Sequence, residues 1–201
     1  MPKNNQKEKV ASGPKFGDKL PIFLLILLSF VFYGNILDNG YSLDDDLVTS
    51  TEFSVHERVE KGVSGIPEIF TSHYVSTKKQ SYGYRPMVTS SFALEYELYG
   101  ESEVATRAYV SHMVSLILYA LIGILMYLVV RKLIPYHDWK IAFFTAALFL
   151  VHPVHSEVVN NVKSRDELMV MFFGLLSIWL FLKYIDTGLK TWWMLVVASL
   201  L

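Results

Sequence analysis

The chain has no cysteine among its 201 residues, which excludes disulfide bridges and thiolate-ligated metal sites. Neither sign of charge is in excess: 18 lysines and arginines stand against 19 acidic residues. A broad basic surface for nucleic acid is therefore missing, and no nucleic-acid partner is expected. P-loop, G-x-S-x-G and dinucleotide-binding glycine patterns are also missing, so catalysis on a soluble nucleotide has no support. Charge is lacking altogether from several long stretches. Hydrophobic residues make up 52% of the chain and are gathered into runs rather than spread. Runs of this length point to a membrane.

Four or five such runs are present: Leu20–Leu37, Ala108–Val130, Ile141–Val151, Leu168–Leu182, and a last one from Thr191 to Leu201. A helical span needs about 20 residues to cross a ~30 Å core. The third run must therefore borrow flanking residues, and the fifth is cut off. The expected fold class is an all-α polytopic membrane protein, truncated at its C-terminus, with four to five transmembrane helices. A secretory signal peptide is the lesser reading of the first run, because no A-x-A-like site follows it.

Lysine and arginine placement sets the orientation. Lys3, Lys7, Lys9, Lys15 and Lys19 precede the first run, Arg131, Lys132 and Lys140 follow the second, and Lys183 and Lys190 follow the fourth. With alternating spans these all fall on one side, predicted to be cytoplasmic. Residues 1–19 then form a cytoplasmic disordered tail, residues 38–107 a first outer loop and residues 152–167 a second. The short tail and the lack of cysteine favour a bacterial inner membrane over the endoplasmic reticulum. Within the first loop, Arg85-Pro86 opens a predicted helix through Tyr99, closed by Gly100, since proline suits the first helical turn. Val63–Phe70 reads as a second short juxtamembrane piece.

The residues able to carry chemistry lie in these outer loops. Asp44, Asp45 and Asp46 follow the first span. They read either as a solvated turn or helix cap, or as a base or cation ligand at the membrane face. His152, His155 and Glu157 could ligate a metal, pair with one another, or contact an anionic head group. Ser164 and Glu167 form a capping-box pattern. Arg165 beside them, and Arg85 at a helix start, suit phosphate oxygens, with packing as the plainer role of Arg85. Tyr84 suits the interface or a sugar face. His112, just inside the second span, is a site candidate or a hydrogen-bonded helix contact.

Four stretches, YSLDDD (41–46), YRPMVTSSFALEY (84–96), SHMVSLILY (111–119) and LFLVHPVHSEVVNNVKSRDELM (148–169), together resemble the N-terminal part of a membrane glycosyltransferase family. This is the GT-C group of O-mannosyltransferase-like proteins with transmembrane and tetratricopeptide-repeat regions. The match covers residues 20–185. Ser115 and Tyr119 stand where that family is expected to have asparagine and histidine, and its acidic pair is here a triplet.

The resemblance implies transfer of a mannose-like sugar from a polyprenyl-phosphate donor to an acceptor hydroxyl, with a protein as a candidate acceptor, at the outer face. Asp44 or Asp45 would be the general base, with Asp44 aligned to the first acid of the pair. Arg85 or Arg165 would hold the donor phosphate, and His112, His152, His155, Glu157 and Tyr84 would shape the pocket. A divalent cation is a candidate cofactor, and membrane lipids are expected partners. Two alternatives stand beside this reading: a non-catalytic membrane scaffold that keeps the fold, and a metal-dependent hydrolase built on His152, His155 and Glu157.

Overall fold

A computed structural model describes residues 19–49, 54–76 and 81–200. The tail predicted to be disordered lies, but for Lys19, outside the described residues, as does the side chain of Asp46. In chain order the α-helices are α1 (Lys19–Tyr33), α2 (Asp46–Thr49), α3 (Ser54–Val59), α4 (Ile66–Thr71), α5 (Pro86–Tyr99), α6 (Val104–Leu133), α7 (Trp139–Val151), α8 (Ser156–Asn160), α9 (Arg165–Thr187) and α10 (Lys190–Leu200). One antiparallel β-ladder, β1 (Val75–Ser76) with β2 (Ser81–Tyr82), pairs Val75 with Tyr82. The all-α polytopic class holds.

Three helical stretches are long and apolar enough to cross a membrane: Lys19–Asp38, Val104–Leu133 and Val162–Thr187. A fourth is available if α7 and the Pro153–Asn160 segment, bent by 48° at His152, act as one broken span. The predicted borrowing by the third run thus takes the form of a kink. The eleven residues of α10 rise only about 16 Å as a helix. That helix folds back on α9 through Gly188 (φ +64°), a left-handed turn that glycine takes without a Cβ clash.

The bundle is built around α6, which packs on α1, α7 and α9. Its core gathers Leu25, Ile36, Leu116, Ile122, Tyr127, Ala142, Ala146 and Leu150, all buried. Gly123 lets α7 approach closely: a Cβ there would lie 2.6 Å from Leu150 Cδ1. The kink after α7 has an identifiable cause. Pro153 offers no N–H to the carbonyl of Phe149, and the Val154 N–H turns to His152 Nδ1 (3.2 Å). The carbonyls around the kink also take hydroxyls from tyrosines of neighbouring helices. Tyr119 donates to Leu150 O (2.9 Å) and lies 3.4 Å from Phe149 O, and Tyr33 donates to His152 O at 3.2 Å. Carbonyls freed at membrane depth need such partners.

The first outer loop folds into a cap with a second, smaller core of Val48, Val55, Val59, Tyr74, Val88, Phe92 and Val162. Helix α5 runs from Pro86 to Tyr99 as expected, burying Val88 and Phe92. The expected capping box is not formed. Ser164 makes no side-chain cap to α9. The chain enters α9 from the 3₁₀ turn Val162–Ser164, and Ser164 sits at φ −75°, ψ 8° rather than in the extended conformation a capping residue needs.

Candidate functional site

The entry to α9 carries Lys163, Arg165 and Asp166, and each engages the first outer loop. The Lys163 N–H donates to Asp45 Oδ1 (2.8 Å), and its Nζ lies 3.6 Å from Asp44 Oδ2. One residue therefore addresses both acids, in different ways. Asp45 is fully buried. Its second oxygen accepts the Ser42 N–H at 3.0 Å, so its carboxylate ties two backbones together. Asp44, with a side chain 64% exposed, faces outward and keeps accessible lone pairs.

Arg85, just before α5, pairs with Asp166 and lies over the ring of Tyr74, 5.1 Å from its centroid. Its side chain remains partly exposed. Tyr74 marks the centre of this group, because the charges of Arg85, Asp166, Asp44 and Asp45 all act on its hydroxyl. Burial is the largest influence and pushes that hydroxyl up to about 12, against the opposing pull of Arg85.

Arg165 is placed differently. It has no exposed surface, and its guanidinium packs 4.2 Å over Phe92. It pairs with Glu95 (2.5 Å) and donates to Ser91 Oγ (3.1 Å) and Ser111 O (2.9 Å). Such a group holds the cap on the bundle, and of the two arginines the geometry leaves Arg85 the more accessible to a phosphate.

The remaining candidates do not join this cluster. His112 is buried, with Nε2 3.4 Å from Gly40 O and Nδ1 without a partner among the described residues. His155 packs 4.3 Å from the ring of Phe149, and His152 is 6.0 Å from His155, ring to ring, at the kink. Glu157 is exposed on α8. Tyr84 is exposed and donates to Phe70 O at 2.9 Å. Among the described residues no group of three or more His, Asp or Glu is arranged to hold a metal ion. The trio His152, His155 and Glu157 is thus not gathered as the hydrolase alternative requires.

Sequence reasoning missed Glu95, Lys163 and Asp166. The signal was present as an alternation, Lys163-Ser164-Arg165-Asp166, whose charges match Asp44, Glu95 and Arg85 in the first loop.

The chain is similar to a protein O-mannosyl-transferase of Caenorhabditis elegans, 28% identical over 98% of this chain and 30% of the relative. It is 28% identical to the human protein O-mannosyl-transferase TMTC3 over 81% of this chain and 16% of the relative. It is 31% identical to the mouse protein O-mannosyl-transferase TMTC1 over 56% of this chain and 11% of that protein. The chain thus spans less than a third of the length of these curated relatives. No family model matches, and no solved structure matches. The relatives' names bear out the resemblance to O-mannosyltransferase-like proteins read from the four stretches.

Proposed function

We propose that this chain carries the acceptor-activating part of a glycosyltransferase that moves a mannose-like sugar from a polyprenyl-phosphate donor to an acceptor hydroxyl. The observation that carries the reading is the similarity to a protein O-mannosyl-transferase over nearly the whole chain. An exposed carboxylate beside a cation, at the foot of the first span, supports it. The acceptor oxygen attacks the anomeric carbon, the bond from that carbon to the donor phosphate breaks, and the proton passes to Asp44. Arg85 stabilises the leaving phosphate, a role that suits preorganised positive charge.

Asp44 rather than Asp45 is the base, because both oxygens of Asp45 already accept backbone N–H groups. Asp45 and Lys163 position Asp44, and Arg165 fixes the cap that carries them. The N-terminal tail lies in the cytoplasm and the reaction on the opposite side, in the periplasm of a bacterial inner membrane or in the lumen of an endoplasmic reticulum.

The test is transfer from polyprenyl-phosphate mannose in membranes carrying the full chain. Asp44→Asn should lower the rate about 100-fold or more while the protein remains folded and inserted. Transfer at the unaltered rate would remove the base and give the scaffold reading the lead.

A further inference from the structure

A cavity of about 270 Å³ lies between the cap and the outer end of α6, lined by Tyr41, His56, Glu95, Tyr96, Arg107 and Ser111 among others. None of the residues proposed for sugar transfer borders it. From Arg85 to Glu95 is ten residues of helix, roughly 15 Å, so the cavity is a separate place.

Among the described residues its charged side chains are paired, save one. Glu95 is fully engaged: Oε1 pairs with Arg165 and Oε2 accepts the Ser111 hydroxyl at 2.7 Å. His56 holds Val48 O through Nδ1 (3.0 Å) and faces Glu60 through Nε2 (3.2 Å). Arg107 is left over. It forms no ion pair among the described residues, and its Nε is buried without an acceptor. A partly desolvated cation without a counter-ion is costly, and an oxyanion in the cavity would supply one.

The depth of the site suggests where that oxyanion comes from. The thirty residues of α6 rise about 45 Å, longer than a ~30 Å hydrocarbon core. Arg107, in its first turns, therefore stands at head-group level. Neighbouring Val104 and Val110 also line the cavity and suit the carbon skeleton that carries such a group. Ser111 gives its hydroxyl to Glu95 and lies 3.2 Å from that of Tyr41, so Arg107 is the donor left for such a group.

We infer that this cavity binds a phosphate-type oxyanion through Arg107, supplied by the head group of an anionic membrane lipid or by soluble phosphate. The full chain, purified in a neutral detergent, is titrated separately with short-chain phosphatidic acid and with inorganic phosphate, and bound equivalents are counted by native mass spectrometry. One saturable equivalent is expected. Arg107→Gln should weaken it about tenfold or more. Val110→Phe, which fills the cavity without touching charge, should weaken it too, and it carries the test if Arg107→Gln does not fold. Binding of phosphatidic acid alone identifies a lipid site, and competition by inorganic phosphate identifies a soluble ligand. No binding by the unaltered chain, or unaltered binding by the folded variants, overturns the inference.

Discussion

The helical bundle and the outer cap solve the same packing problem for different solvents. The bundle leaves large apolar side chains uncovered: Phe23 is 60%, Leu148 68% and Val170 75% exposed. Two of its serines turn back on their own helices, Ser29 to Leu25 O and Ser177 to Phe173 O. The cap is held differently. It has a small apolar core, and inside it Asp45 and Arg165 are wholly buried and Arg58 nearly so. Arg58 donates to His73 O and Tyr74 O at 2.8 and 3.0 Å. Lipid tolerates bare hydrocarbon but not unpaired backbone. In water a small core fixes little by itself, so the cap takes its shape from charged groups seated on backbone and on each other.

The largest blow to this contrast should come from Arg165→Met. It strands Glu95 in a desolvated place, and removing one partner of a buried pair costs about 3–5 kcal/mol. The cap should become protease-sensitive while the spans keep their helical circular dichroism. If both regions melt together, they are not separate solutions. Next comes Asp45→Ala, which leaves the Ser42 N–H without its acceptor and the Lys163 N–H with Asn161 Oδ1 alone, and should cost about 2 kcal/mol. Asp44→Asn should stay within about 0.5 kcal/mol in stability, as exposed substitutions do, yet abolish most transfer. Thermal unfolding and transfer rates measured on the same two variants would separate the positioning acid from the reacting one. Equal loss of stability in both would merge their roles.

The bundle was the more legible half. Its spans follow from apolar run length, and the shortness of the third run already required flanking residues, which Pro153 supplies through a kink because its missing N–H interrupts the helix after α7. Helix α5 was legible at both ends for similarly local reasons, a proline at its start and a glycine after its last turn. The pairings that build the candidate site were not. Asp45 meets Lys163 across 118 residues and Glu95 meets Arg165 across 70, and no local pattern encodes which acid finds which base. The capping box at Ser164 failed for a related reason. The spacing was right, but the turn that delivers the chain to α9 is dictated by Asn161 and Asp45, whose side chains both accept the Lys163 N–H.

A smaller effect tests the bundle. Gly123→Val would drive a side chain into Leu150 and should cost about 1–3 kcal/mol by overpacking, read as a lower melting temperature in detergent. The cap ion pairs should survive it, leaving the outer loop as protease-resistant as before. A loop that opens in this variant would show that the cap depends on bundle packing.

The smallest effect reads the cap from within. Tyr74 is buried, its hydroxyl has no partner among the described residues, and its ionisation is pushed up to about 12, chiefly by burial. An unfolded tyrosine ionises near 10. The folded cap therefore favours the neutral phenol, and the stability linked to it is intact below about pH 10 and is lost as pH rises through about 12. Tyrosinate absorbance of the unaltered chain minus that of Tyr74→Phe should show one group titrating near 12. Asp44→Asn removes one of the negative charges that raise this group and should move its midpoint slightly downward. A midpoint already at 10 in the unaltered chain would mean that water reaches Tyr74, and that the charged groups around it do not close the cap.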